Sequence, residues 1–208
     1  MHSGRFITFE GGEGAGKSTM IALTLRWLLA HGHVVVTTRE PGGTALAEQI
    51  RDMVLSQANP TLCATSELLL VFAARAQHLH ELIRPALAQG STVLCDRFTD
   101  ATWAYQGGGR GMSEELIATL ERAVHGDLQP DLTLLLDLPV AMGLKRISNR
   151  GQADRIEQES MAFFDRVRQT YLNRAAMAPQ RFAVIDAAVD EDSVWQQIEG
   201  ILQQRLSQ

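Results

Sequence analysis

Five short stretches of the chain are apolar almost throughout: Phe6–Phe9, Val34–Thr38, Thr92–Cys95, Leu132–Leu136 and Phe182–Ile185. Their length and their lack of polar alternation predict strands buried on both faces. Between them the apolar positions recur at helical spacing over Lys17–His31, Leu46–Leu55, Ser66–Ala88, Glu114–Val124, Ala141–Asn149, Glu159–Ala178 and Ser193–Leu206. Strands alternating with helices predict an α/β fold, a parallel sheet covered by helices on both faces. No Pro- or Ser-rich linker, repeat or low-complexity tract divides residues 1–208, which read as a single domain. Two interruptions stand out, Gln106–Gly111 and Arg150–Gln158, and both read as functional loops.

Composition narrows the partners. The 208 residues are 45% hydrophobic and 21% charged, ordinary for a globular chain and unlike a disordered or fibrous one. Nineteen Lys and Arg against 24 Asp and Glu leave a net charge of −5, without the basic footprint of a nucleic-acid polymer binder. A few clustered arginines can still hold a small anion. Only Cys63 and Cys95 are present, too few for a disulfide framework, so a reducing cytoplasmic setting is expected. The apolar stretch Met20–Ala30 is too short to cross a bilayer and contains Arg26, and Met1–Glu10 lacks the pattern of a signal peptide. No membrane partner is expected.

The sharpest chemistry lies between the first strand and the first helix. Gly11-Gly12-Glu13-Gly14-Ala15-Gly16-Lys17-Ser18 fits the pattern G-x-x-x-x-G-K-[ST] at every position. Such a loop turns successive backbone N–H groups toward phosphate oxygens, and the helix start adds positive potential. Lys17 is placed to reach the β- and γ-phosphates, and the Ser18 hydroxyl to ligate Mg²⁺. A nucleoside triphosphate site is predicted. The chain has neither an N-K-x-D guanine reader nor an L-S-G-G-Q-like signature, which argues against a GTPase or an ABC-type ATPase.

Two further strand ends carry charge. Thr38-Arg39-Glu40-Pro41-Gly42-Gly43-Thr44 follows the second strand, with a Pro-Gly-Gly turn and Thr44 as a helix cap. Asp96-Arg97-Phe98 follows the third. Ligands of open α/β sheets sit at the carboxyl ends of the strands, so these segments point to a second anion pocket beside the first.

Together the segments resemble the thymidylate kinase family. The resemblance rests on Phe9-Glu10-Gly11 through Thr19, Thr38 through Thr44, Phe72-Ala73-Ala74-Arg75, Asp96-Arg97-Phe98, Ala104-Tyr105-Gln106-Gly107-Gly108-Gly109-Arg110-Gly111 and Asp154-Arg155-Ile156-Glu157-Gln158, in order along nearly the whole chain. It implies a P-loop kinase fold with a five-stranded parallel sheet, a mobile lid at about 146–158 and a homodimer. It also implies transfer of a phosphoryl group from Mg²⁺-bound ATP to dTMP, supplying dTTP synthesis. A kinase for another nucleoside monophosphate or a deoxynucleoside, and a non-catalytic ATP-gated switch, are the alternatives.

By the same resemblance, ATP is held by Gly11, Gly12, Glu13, Gly14, Ala15, Gly16, Lys17, Ser18 and Thr19, with Arg146 packing on adenine near Asp186-Ala187. The dTMP set is Arg39, Glu40, Arg51, Phe72, Arg75, Arg97, Thr102, Tyr105 and Gln106. Arg75 is expected to bond a base carbonyl, Thr102 and Gln106 to meet the pyrimidine edge, and Tyr105 to crowd the sugar C2′. Phe72 is assigned to thymine stacking, although relatives often place the aromatic where this chain has Val71. Arg39, Arg51 and Arg97 surround the acceptor phosphate. The catalytic group is Lys17, Arg97, Arg150, Arg155 and Glu13. Some relatives carry a transition-state arginine inside the P-loop; here that position is Gly14, which leaves the lid residues Arg150 and Arg155. Asp96 joins Ser18 on Mg²⁺, with Asp137 as runner-up. The pair Asp154 and Glu157 also fits a capping box starting the following helix.

Overall fold

The computed structural model describes residues 4–59, 62–148 and 154–206. Strands β1 (Phe6–Glu10), β2 (Val35–Arg39), β3 (Thr92–Asp96), β4 (Leu132–Asp137) and β5 (Phe182–Asp186) form one sheet in the order β2-β3-β1-β4-β5. All four pairings are parallel, with Phe6 beside Val93, Ile7 beside Leu132, Val35 beside Thr92 and Thr133 beside Phe182. The central β1 is buried at every position, Thr8 and Glu10 included, as its largely apolar run predicts for a strand with helices on both faces.

Helix α1 (Lys17–Ala30) and helix α9 (Glu191–Leu206) cover one face. Ile7, Phe9, Met20, Leu28, Leu134, Ile185, Ile198 and Leu202 form the main core there. Each such side chain, fully buried, contributes about 1.5–3 kcal/mol. Helices α2 (Ala45–Leu55) and α3 (Ala64–His78) pack together, and Thr44 caps α2 by accepting a hydrogen bond from the Ala47 amide. The helical stretch expected over Ser66–Ala88 is α3, a π-helical turn (Leu79–Ile83) and α4 (Arg84–Ala88) in succession. Pro85 is tolerated because it stands in the first turn of α4.

The remaining helices are α5 (Thr99–Thr102), α6 (Glu114–His125), α7 (Val140–Ile147) and α8 (Met161–Met177). One expectation is corrected here. Gln106–Gly111 is not a loop at its start: α5 runs on into a π-helical segment, Trp103–Gly109. Its glycines serve close packing. A Cβ on Gly108 would stand 2.1 Å from the Thr170 hydroxyl, and one on Gly109 2.4 Å from the Phe163 ring, so α8 reaches this segment only because both side chains are missing.

A second correction concerns the box at Asp154 and Glu157. It is formed, since Asp154 Oδ1 accepts from the Ile156 and Glu157 amides at 2.8 Å and Glu157 Oε2 accepts from the Asp154 amide at 3.0 Å. It closes a turn, however, and α8 starts later, capped by Ser160. Because the sheet is parallel, all five strands deliver their last residues to one edge: Glu10, Arg39, Asp96, Asp137 and Asp186.

Candidate active site

That edge opens into a cavity of about 340 Å³. Glu13 through Thr19 line one end of it. Arg39, Glu40, Pro41, Arg51, Val71, Arg75, Thr102, Tyr105 and Gln106 line the other, and Asp96 and Arg97 belong to the same wall. The two anion sites inferred from separate segments are therefore one continuous space.

At the loop end, Lys17 donates to the Gly11 and Gly12 carbonyls at 3.2 and 3.0 Å. Burial and the neighbouring Arg97 pull its ammonium below the ordinary value. An incoming phosphate would add a direct anionic partner to the more distant carboxylates of Glu13 and Asp96. Ser18 and Thr19 are exposed toward the cavity. The loop is seated on α7: Gly14 has φ +70°, and a Cβ there would lie 2.4 Å from the Gly143 carbonyl oxygen. Arg146 on the same helix donates to the carbonyls of Gly14 at 3.2 Å and Ala187 at 3.4 Å, joining the loop to the end of β5.

Arg97 adopts φ +69°, a left-handed conformation that a side-chain-bearing residue enters at a cost of ~1–2 kcal/mol. Its guanidinium accounts for the posture. Nη1 donates to the Gly11 carbonyl at 2.9 Å and to the Tyr171 hydroxyl at 3.1 Å, while Nη2 donates to Glu13 Oε1 at 2.7 Å. Tyr105 donates to the same Glu13 oxygen at 2.7 Å, and its ring lies 4.8 Å from the Arg97 guanidinium. Burial alone would raise the Glu13 carboxyl, but Arg97, Lys17 and the Tyr105 hydroxyl hold it below the usual range.

Asp96 ends β3 with Oδ1 buried and unpartnered. Both oxygens of Asp137 are instead taken by Arg168, at 2.7 and 2.8 Å. Among the described residues no group of three His, Cys, Asp or Glu side chains forms a metal cage. Mg²⁺ is usually bound through one or two protein oxygens together with substrate phosphates and water. Ser18 and Asp96 fit it; Asp137 is committed elsewhere.

At the acceptor end Arg75 is 1% exposed. Its Nε donates to Glu40 Oε2 at 2.7 Å, and Nη2 donates to Thr102 Oγ1 at 2.9 Å and the Phe98 carbonyl at 3.2 Å. Nη1 is buried with no partner. Glu40 is shared with His78 at 3.0 Å; burial would raise it, but Arg75 and His78 hold it low. Phe72 does not line the cavity. It packs with Leu68 and Ile117, its ring 5.0 Å from the Arg75 guanidinium, whereas Val71 faces the cavity. The geometry thus opposes Phe72 as the stacking residue: an aromatic about a quarter of a turn from Val71 packs on Arg75 outside the cavity. Arg51 donates to the Pro41 carbonyl at 2.8 Å, and Arg39 pairs with Glu48 at 2.9 Å on the exposed rim.

In the lid, Arg150 lies outside the described residues. Arg155 is tied down, though not by its neighbours Asp154 and Glu157: it donates to the Val54 carbonyl at 2.9 Å and to the buried carboxylate of Glu67. Glu67, Glu10 and Tyr171 went unnoticed in the sequence. Glu10 accepts from the Phe98 amide and the Tyr171 hydroxyl, both at 2.7 Å, and burial with the nearby Asp100 pushes it up to about 8. A signal for Glu67 did exist, since Glu67, Val71, Arg75 and His78 recur at helical spacing on one buried stripe.

Comparison with known proteins settles the family. The family model described as thymidylate kinase matches residues 9–198. The chain belongs to the thymidylate kinase family. A thymidylate kinase of Pseudomonas putida (strain GB-1) is 60% identical over 200 residues, covering 96% of this chain and 95% of that one. One from Alcanivorax borkumensis is 56% identical over 202 residues, covering 97% of each. The crystal structure of thymidylate kinase from Ehrlichia chaffeensis superposes with a TM-score of 0.80 at 35% identity, over 97% of this chain and 99% of that one. The family's P-loop kinase fold agrees with the parallel sheet described above. Among the described residues no helix is long and apolar enough to cross a membrane.

Proposed function

We propose that the chain transfers the γ-phosphoryl group of ATP to dTMP, giving ADP and dTDP. The observation that carries this reading is Arg75, which lines the same cavity as the phosphate cradle and whose Nη1 is a buried donor without a partner. A buried unsatisfied donor costs about 1–3 kcal/mol, and a base carbonyl removes that cost. A nucleotide-gated switch would have no use for such a second pocket.

In-line transfer to a phosphate acceptor needs positioning and charge neutralisation more than a strong base. Lys17 and the loop amides hold the donor phosphates, while Arg39, Arg51 and Arg97 stand around the acceptor phosphate. Tyr105, fixed by Glu13, fills the space beside the sugar. Mg²⁺, when bound by Ser18 and through Asp96, supplies charge neutralisation at the phosphates. Arg146 orients the adenine end. The lid arginine that meets the transition state is Arg150, since Arg155 is engaged by Glu67.

Leu46 and Met53 are exposed seven residues apart on α2, beside exposed Leu69 on α3. This apolar face suits a second copy of the chain in a homodimer, tested by sedimentation of the wild type against Met53→Glu. The free cysteines fit a cytoplasmic setting. Incubation with Mg·ATP and a panel of dTMP, dUMP, dCMP and dGMP tests the function. Turnover is expected to be fastest with dTMP and to fall ~10²–10³-fold in a folded Lys17→Ala. ATP binding without turnover of any acceptor would overturn the reading.

A further inference from the structure

We propose that Glu67 is a positioning residue for base specificity: its carboxylate decides which end of the Gln106 amide faces the acceptor base, and so sets thymine above cytosine. The inference rests on the reading that Arg75 and Gln106 face the base.

Glu67 stands in the first turn of α3 and is 1% exposed. Its Oε1 accepts from Gln106 Nε2 at 2.8 Å and Arg110 Nε at 3.3 Å, and its Oε2 from Arg110 Nη2 at 3.2 Å and from Arg155. Burial would raise this carboxyl, but the donors from Gln106, Arg155 and Arg110 hold it below the usual range. At neutral pH it is ionised, and an ionised carboxylate only accepts.

An acceptor-only neighbour leaves the Gln106 amide one orientation. Nε2 must point at Glu67, and Oε1 becomes the end left for the cavity that Gln106 lines. Among the described residues nothing donates to Oε1. Arg75 lines the same cavity, and its buried Nη1 is likewise unpartnered. The pair therefore presents one donor and one acceptor. Thymine offers the complement on one edge, O4 as acceptor beside N3–H as donor. Cytosine reverses both, with an amino donor beside a bare N3. If position 67 could also donate, the amide could turn over and present Nε2 to cytosine N3. Uracil has the same edge as thymine, which provides an internal control.

The test compares kcat/KM for dTMP, dCMP and dUMP in the wild type, Glu67→Gln, Gln106→Leu and the double variant. Glu67→Gln is expected to lower the dTMP:dCMP ratio about tenfold, in keeping with the discrimination carried by a base-edge contact. It should leave the dTMP:dUMP ratio unchanged, which a merely loosened helix would not do selectively. Gln106→Leu should lower the dTMP:dCMP ratio by a similar factor, with no further loss in the double variant. If Gln106→Leu changes neither this ratio nor KM for dTMP, the base-facing reading of Gln106 fails and the proposal with it. If Gln106→Leu lowers the ratio and Glu67→Gln does not, the role of Glu67 alone is overturned. Neutron diffraction from wild-type crystals with dTMP bound gives a readout independent of any variant's folding. The deuteron on thymine N3 is expected to point at Gln106 Oε1, and a hydrogen bond donated by Nε2 to the base would overturn the proposal.

Discussion

Replacing Arg75 by alanine should damage stability as well as recognition, and the two losses can be separated. The guanidinium satisfies Glu40, Thr102 and the Phe98 carbonyl, and it lies between the rings of Phe72 and Phe98 at 5.0 and 5.2 Å. Its removal leaves the 4%-exposed Glu40 with His78 as its remaining partner. Orphaning one member of a buried pair costs about 3–5 kcal/mol. Two lost hydrogen bonds add about 1 kcal/mol each, though neighbouring losses do not sum fully. A total of about 5 kcal/mol corresponds to a fall in Tm of roughly 10–20 °C for a chain of this size. The assay is urea denaturation of the wild type, Arg75→Ala, Glu40→Gln and the double variant, with KM for dTMP and ATP measured well below the transition. The double variant should regain part of the loss, because glutamine places no charge in the gap. KM for dTMP should rise while KM for ATP holds. An Arg75→Ala chain within 1 kcal/mol of wild type, or a double variant no more stable than Arg75→Ala, would refute the argument that Arg75 compensates the buried Glu40 charge.

Three further outcomes follow from the site. Arg150→Ala should lower kcat with KM for dTMP little changed, and Arg155→Ala should do so more mildly because its side chain is held by Glu67; single-turnover rates check both. Tyr105→Ala should narrow the preference for deoxyribo- over ribonucleoside monophosphates, whereas Tyr105→Phe should keep it, and a ratio unmoved in Tyr105→Ala would return the ring to packing alone. Glu10 is raised to about 8 in the folded chain, so between pH 4.5 and 8 the fold retains a proton that the unfolded chain has released. Its contribution to stability is present below pH 4.5 and is lost as pH rises toward 8, so urea midpoints of Glu10→Gln should decline less steeply over that window; an identical slope would assign the wild-type decline to other groups.

The sheet was legible because its three central strands are buried on both faces, while the edge strands β2 and β5, expected to be buried as well, are only partly covered. A mostly apolar run such as Leu132–Leu136, broken only by Thr133, permits little else at that length. The P-loop was legible because its chemistry is local: eight neighbouring residues present one surface to one ligand. Glu10, Glu67 and Tyr171 were illegible for the opposite reason. Their partners stand 161 residues apart for Glu10 and Tyr171, and 39 and 88 apart for Glu67 with Gln106 and Arg155. A lone acid ending a strand carries no local mark of what will surround it, and the helical stripe that Glu67 shares with Val71, Arg75 and His78 marks its burial without naming its partners. The segment Gln106–Gly111 misled because glycine lowers helix propensity, and tertiary contact with α8 overrode that preference. Phe72 misled because a three-residue spacing brings two side chains to neighbouring positions on a helix without saying which faces the cavity and which lies behind.

The contact between Gly14 and Gly143 also restricts how this chain can evolve. Within its family, an arginine can stand inside the phosphate loop or arrive from the lid. Moving it into the loop here would require a side chain at Gly14, where φ is +70° and the Gly143 carbonyl occupies the space of the first carbon. A single codon change at position 14 would therefore meet two obstacles together, an unfavourable backbone and a collision with the helix that leads to the lid. The exchange becomes open only after α7 has withdrawn, and withdrawing it first would detach Arg146 from Gly14 before any new arginine had arrived. On the proposed lid-arginine mechanism the two arrangements would be separated by impaired intermediates, so descendants of this chain should keep a glycine at position 14 even where the rest of the loop drifts.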